Sequence, residues 1–235
     1  MERGAVSVTN DNRILQAAFL LCVIGAIGGS LLASNHQGPW QWLHYLTKPT
    51  ATALLIVMVL RRGSAGIYAR AIVAGLVFAL AGDFFLMLPG DYFLWGLICF
   101  LLTHCAYIYA LTRDARAFGS WPIFAGCAAV ALIMVAGLWN AVPGAMRFPV
   151  AVYAAALAFM AAQAVSRAGE MSQGTPIAAT ARLAAIGGVL FLISDTILAY
   201  GRFRWVIPAQ PLWVLGSYYA AQWLFARSSH ATEPH

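Results

Sequence analysis

Eight apolar runs of 18–20 residues, at 14–33, 42–60, 71–88, 92–111, 121–138, 148–165, 183–200 and 207–226, fill most of this chain. About 20 such residues cross the hydrocarbon core as a helix. In lipid every backbone N–H and C=O must find a partner within the protein, so uninterrupted runs of this length fold as helices. Only 9% of the 235 residues are charged, against about 25% in a soluble domain. Too few charges remain to cover a water-facing surface. The reading is an all-α polytopic integral membrane protein with eight transmembrane helices. The loops are too short for a soluble domain, so 1–235 reads as one transmembrane domain.

The net charge of +6 could suggest a polyanionic partner, but its distribution suggests topology instead. With the 61–70 loop in the cytoplasm, both termini fall there too. Arg3, Arg13, Arg61, Arg62, Arg70, Arg113, Arg116, Arg167, Arg182 and Arg227 then lie on the cytoplasmic side, and Lys48, Arg147, Arg202 and Arg204 on the other. That is the positive-inside bias. It implies no nucleic acid. The expected location is a bacterial inner membrane with both termini cytoplasmic. Leu32-Ala33-Ser34 resembles a signal-peptide cleavage site, but the first run is longer than a usual signal core and is read as a retained helix. The tail after Arg227 reads as disordered.

Cys22, Cys99, Cys105 and Cys127 form no CxxC pair and read as small core-filling residues. Pro49, Pro122, Pro149 and Pro208 fall near expected helix starts, where a missing N–H is harmless. Trp40, Trp42, Trp121, Trp139 and Trp205 cluster at run ends as an interfacial belt. A faint repeat points to two four-helix halves: runs three and seven share small-Asp-x-x-Leu, and runs four and eight each carry a polar-aromatic patch.

The third and seventh runs each contain an aspartate, Asp83 and Asp195. A carboxylate at mid-bilayer costs about 2.5–3.5 kcal/mol on insertion scales, so chains seldom keep one without a use for it. Counting along the helices puts Asp83, Asp195 and Lys48 at one depth, roughly 8–9 Å below the non-cytoplasmic face. Charges at one depth can meet in a common cavity. Blander readings stay open: Lys48 snorkelling to the interface, a structural ion pair, and His104, Tyr107, Tyr218, Tyr219 and Gln222 as interhelical glue. No HxxxH or HExxH pair occurs, so no metal and no cofactor is expected, although His44, His104 and the aspartates make a conceivable ligand set. Ser194 lacks a GxSxG elbow.

Two aspartates in unequal surroundings can divide acid and base duties at neutral pH. Such a pair suits bonds that break through an oxocarbenium ion. Intramembrane carboxylates also serve proton-coupled transporters and channels, and a non-catalytic lipid-binding protein is a further reading.

The segments Lys48-Pro49, Gly82-Asp83-x-x-Leu86, Gly96-x-x-x-Phe100-x-x-x-His104-x-x-Tyr107, Phe191-x-x-Ser194-Asp195 and Ser217-Tyr218-Tyr219-x-x-Gln222 appear in this order. In these the chain resembles the YhhN/TMEM86 membrane family, whose characterised members are lysoplasmalogenases. The resemblance implies hydrolysis of the vinyl ether bond of a lysophospholipid within the bilayer. The products would be a fatty aldehyde and glycerophosphocholine or glycerophosphoethanolamine. It implies Asp83 and Asp195 as catalytic, with Lys48, His104, Tyr107, Tyr218, Tyr219 and Gln222 orienting substrate or water. Lys48 either holds Asp83 ionised or binds the substrate phosphate.

Overall fold

The computed structural model describes residues 2–33, 38–62, 66–171 and 173–229, with side chains from Asn12 onward. Arg3, Ser34, His36, His230 and His235 lie outside the residues whose side chains are described, and so do the cleavage-site reading at Ser34 and most of the tail.

Among the described residues there are eight α-helices and no strand. They are α1 (Glu2–Leu32), α2 (Pro39–Arg61), α3 (Ile67–Met87), α4 (Phe93–Leu111), α5 (Trp121–Leu138), α6 (Gly144–Glu170), α7 (Pro176–Phe203) and α8 (Gln210–Ser228). Each apolar run lies within or nearly within one helix, and seven helices are long and apolar enough to cross a membrane. The eighth, α8, is diluted by polar groups that it turns inward: Tyr218, Tyr219 and Gln222 are all buried. The surface left outside is apolar, with Phe148, Ile133, Leu132 and Val206 largely exposed. Lipid is as apolar as a protein core, so such residues have no reason to turn in. The same reason corrects the cysteine expectation. Cys105 is exposed and the other three only half-buried.

Two proline expectations also need correcting. Pro122 lies in the first turn of α5 and Pro208 just before α8, but Pro49 and Pro149 sit inside α2 and α6. Both helices start several residues before their apolar runs, because backbone bonding continues into the interface. Neighbouring helices compensate an interior proline in lipid. Elsewhere the punctuation is conventional. Thr175 accepts the Ala178 N–H at 3.2 Å and Pro176 occupies the first position of α7, a hydroxyl N-cap followed by proline.

The packing repeats between halves. In the first, α1 packs on α2, α2 on α3 and α3 on α4; in the second, α5 on α6, α6 on α7 and α7 on α8. The halves meet through α4 against α6 and through α8 against α2, with α8 also packing on α1 and α3. Each half opens with its most lipid-exposed helix, α1 or α5, while α6 is the most enclosed. At the end carrying the termini, Arg167 is buried, gives a two-pronged bond to Asp114 (2.7 and 2.5 Å) and lies 4.9 Å over the Tyr68 ring. That cluster ties α6 to the loop after α4 and to the start of α3.

Close approach of α3 and α4 depends on Gly75. A Cβ there would overlap the Tyr107 ring, whose hydroxyl donates to Gln222 Oε1 at 2.5 Å. Gly75→Ala is expected to cost about 1–3 kcal/mol through overpacking, read as a lower unfolding midpoint in detergent. An unchanged midpoint would mean that the helices separate freely here.

Candidate functional site

Spacing on α2 puts Lys48 and Thr52 on one face, four residues apart, and both are buried against α3. There they meet Asp83, only 1% exposed. Lys48 Nζ stands 3.3 Å from Asp83 Oδ1. The Thr52 hydroxyl donates to Oδ2 at 2.9 Å, and the Tyr218 hydroxyl from α8 donates to the same oxygen at 2.8 Å. An ammonium and two hydroxyls thus surround one carboxylate, the arrangement a buried anion requires. Behind it, Gln222 Nε2 donates to the Tyr218 oxygen at 3.3 Å, and Tyr219 Oη donates to the Lys48 carbonyl at 2.8 Å.

Asp195 on α7 has a different environment. Tyr153 from α6 donates its hydroxyl to Asp195 Oδ2. His104 Nε2 lies 3.0 Å from the Tyr153 oxygen and 3.7 Å from Asp195 Oδ2. With the tyrosine proton given to the carboxylate, the tyrosine oxygen accepts from His104 Nε2–H, a tautomer assigned from the bonding pattern. His104 Nδ1 is buried and has no hydrogen-bond partner. A one-directional donor chain therefore runs from His104 through Tyr153 to Asp195. Among the described residues no lysine or arginine pairs with Asp195, and its side chain keeps 11% exposure.

The two surroundings are built alike. Each aspartate is held by a residue of the preceding helix of its own half, Lys48 and Thr52 or Tyr153. Each is also approached by one from the fourth helix of the other half, Tyr218 or His104. The aromatic rings of Tyr218, Phe191, His104 and Tyr153 adjoin in series, at centroid distances of 5.6, 4.9 and 5.0 Å.

Both carboxyl groups line one cavity of about 290 Å³, together with Lys48, Ser194 and Tyr218. Its rim toward the far end of the bundle carries Asp91 and Arg202. A narrow apolar slot of about 30 Å³, walled by Leu97, Met134, Val150 and Leu157, adjoins it at Asp195. Phe100, Leu86, Phe93 and Leu198 border both spaces. Asp195 therefore stands where the chamber that holds the charged side chains meets an apolar slot, and Asp83 lines the chamber alone.

Of the residues read as orienting substrate, Lys48 and Tyr218 line the cavity. His104, Tyr107, Tyr219 and Gln222 do not; they are buried behind it, the last three bonded to one another or to groups that line it and His104 bonded to Tyr153, which lines the slot. Ser194 lines the cavity, but its hydroxyl donates to the Val214 carbonyl at 3.0 Å and joins α7 to α8. His44 also lines the cavity and donates from Nδ1 to the Ala26 carbonyl at 2.8 Å. Among the described residues no three His, Cys, Asp or Glu side chains converge as a metal would need.

Sequence reasoning missed Thr52 and Tyr153. Thr52 was findable, one turn beyond Lys48 on the same face. Tyr153 carried no signal, being a tyrosine in an alanine-rich run.

Known proteins are similar to this chain in sequence. The chain is 33% identical over 166 residues to lysoplasmalogenase TMEM86A of Bos taurus, covering 68% of this chain and 65% of that one. It is 27% identical to lysoplasmalogenase TMEM86B of Sus scrofa, covering 80% and 75%. It is 24% identical to the uncharacterized membrane protein YhhN of Escherichia coli O157:H7, covering 83% and 90%. The chain thus spans just under two thirds of the length of TMEM86A. No solved structure is significantly similar. Residues 43–229 match the YhhN family, a stretch that includes every helix contributing to the two aspartate surroundings, and this eight-helix membrane protein belongs to that family.

Proposed function

We propose that the protein is an intramembrane hydrolase that cleaves the vinyl ether bond of a lysoplasmalogen, releasing a fatty aldehyde and a glycerophospho-headgroup. The observation that carries this reading is the shared cavity. Two carboxyl groups with unlike surroundings face one chamber, and one of them stands at the entrance to an apolar slot. The names borne by TMEM86A and TMEM86B support the same chemistry.

The contacts support one division of labour. Asp83, with an ammonium on one oxygen and two hydroxyls on the other, is the ionised partner. Asp195 is bonded through Oδ2 to Tyr153, which leaves Oδ1 to carry a proton. With the vinyl ether at the mouth of the slot, Asp195 gives its proton to the β-carbon. The C=C π pair forms the new C–H bond, and positive charge develops on the α-carbon and ether oxygen. Asp83 stabilises that oxocarbenium ion and takes a proton from water as its oxygen adds to the α-carbon. The hemiacetal then collapses. Its hydroxyl proton returns to Asp195, Asp83 delivers its proton to the departing glyceryl oxygen, and the C–O bond breaks. Both carboxyl groups end as they began, with one water consumed.

The arginine bias supports a bundle whose termini face the cytoplasm and whose cavity mouth faces the other side. Purified protein in detergent, where no gradient exists, is the deciding preparation. Given 1-O-alkenyl-lysophosphatidylethanolamine, it is expected to release fatty aldehyde and glycerophosphoethanolamine in equal amounts. Binding of the lipid without cleavage, across ether and ester lysolipids, would overturn the reading and favour a transporter or lipid-binding protein.

A further inference from the structure

We propose that Arg202 is the phosphate-binding residue of this cavity, held between substrates by Asp91 as a stand-in anion. The inference deepens the hydrolase reading and rests on it for the class of ligand, an alkenyl or alkyl lysophospholipid with a phosphodiester headgroup.

Three carboxyl groups line the cavity, from Asp83, Asp91 and Asp195, with Lys48 and Arg202 as its lysine and arginine side chains. Lys48 is the obvious phosphate ligand by position along the chain. Its side chain is only 8% exposed, however, and its ammonium is committed to Asp83 Oδ1 at 3.3 Å. Giving it to a substrate phosphate would strip Asp83 of its counter-ion. Arg202 carries no such obligation. Its Nη2 donates to Asp91 Oδ2 at 2.7 Å, and the two side chains are 43% and 71% exposed. An ion pair this open to water holds weakly, so an incoming anion can exchange with it.

Both partners are shaped for that exchange. The Arg202 guanidinium also lies over the Phe93 ring, 5.3 Å from its centroid, which keeps the planar fork at the rim when its carboxylate leaves. A guanidinium fork matches two phosphate oxygens. Asp91 has a second anchor: its Oδ1 accepts the Phe93 N–H at 3.3 Å, at the start of α4, where the helix dipole favours a negative charge. Gly90, with φ of 126°, turns the chain just before it. Released by Arg202, Asp91 retains this bond and faces water.

The spacing fits the ligand. Asp195 and Arg202 are seven residues apart on α7, so they share one side of the helix and are separated by about 10 Å of rise. In an alkenyl lysophospholipid the β-carbon that takes the proton lies seven bonds from phosphorus, about 9 Å when extended. A substrate with its phosphate on Arg202 therefore brings its vinyl carbon to Asp195, with Leu198 alongside.

The test uses the purified full-length protein in detergent and measures binding of two uncleavable ligands, 1-O-alkyl-lysophosphatidylethanolamine and the phosphate-free 1-O-alkylglycerol. Arg202→Gln is expected to weaken the phospholipid by about 10- to 100-fold, the loss of a charge-assisted contact, and to leave alkylglycerol unchanged. Asp91→Asn, which removes the competitor and keeps the arginine, is expected to tighten the phospholipid alone. Equal loss of both ligands with Arg202→Gln, or no change with either variant, would overturn the proposal. Aldehyde release by the wild type from the alkenyl analogue is scored in parallel. Its failure would sink the hydrolase reading while the binding comparison still decides the role of Arg202.

Discussion

Asp195→Asn is expected to lower aldehyde release by about 10²–10⁴-fold, the usual worth of a general acid, and to leave the bundle intact. Asparagine has the same shape, and its amide oxygen still accepts the Tyr153 hydroxyl, so the chain from His104 through Tyr153 persists. Among the described residues Asp195 has no lysine or arginine partner, so the exchange strands neither. The variant should therefore extract and melt like wild type while losing turnover. Both measurements are needed, because inactivity with a collapsed unfolding midpoint would report a structural role. Activity within about tenfold of wild type would assign the proton to another group.

The largest expected effect on stability lies at the other carboxylate. Lys48→Met leaves Asp83 buried with two hydroxyl donors and no counter-ion. Removing one partner of a buried ion pair costs about 3–5 kcal/mol, because the surviving charge is stranded. Adding Asp83→Asn removes that charge, and the double variant is expected to recover most of the loss while remaining inactive. Unfolding midpoints in detergent for the two single variants and the double variant close a thermodynamic cycle. If Lys48→Met alone unfolds at the wild-type midpoint, the pair does not hold α2 to α3, and the contrast drawn between the two aspartates loses its basis.

These experiments separate what each aspartate does because their surroundings differ. Asp83 is neutralised where it stands, by Lys48. Asp195 is held by the Tyr153 hydroxyl, which His104 backs in turn, and these orient it without an ammonium or guanidinium against it. The repeat of packing between the two halves explains how one fold offers two similar positions. The two positions differ in their partners, Lys48 and Thr52 at one and Tyr153 at the other.

Much of this was legible in the chain alone, because a bilayer constrains sequence harshly. Every backbone polar group must be bonded within its own segment, so a run of about 20 apolar residues dictates a helix whatever surrounds it. The cost of burying a carboxylate likewise singled out Asp83 and Asp195 before any contact was known. What hydropathy could not express was rotation about each helix axis and the choice of neighbour. In lipid the outside of a helix is as apolar as the inside, so composition does not distinguish its faces. Only packing could turn Tyr153 toward Asp195 and bury Arg167 on Tyr68. The same packing sent Tyr107, Tyr219 and Gln222 behind the cavity wall and brought Asp91 and Arg202 together across 111 residues of chain. Helices were decided residue by residue, by the solvent that surrounds them. The site was decided between helices, by side-chain shape and hydrogen bonding, and so it existed only once they had packed.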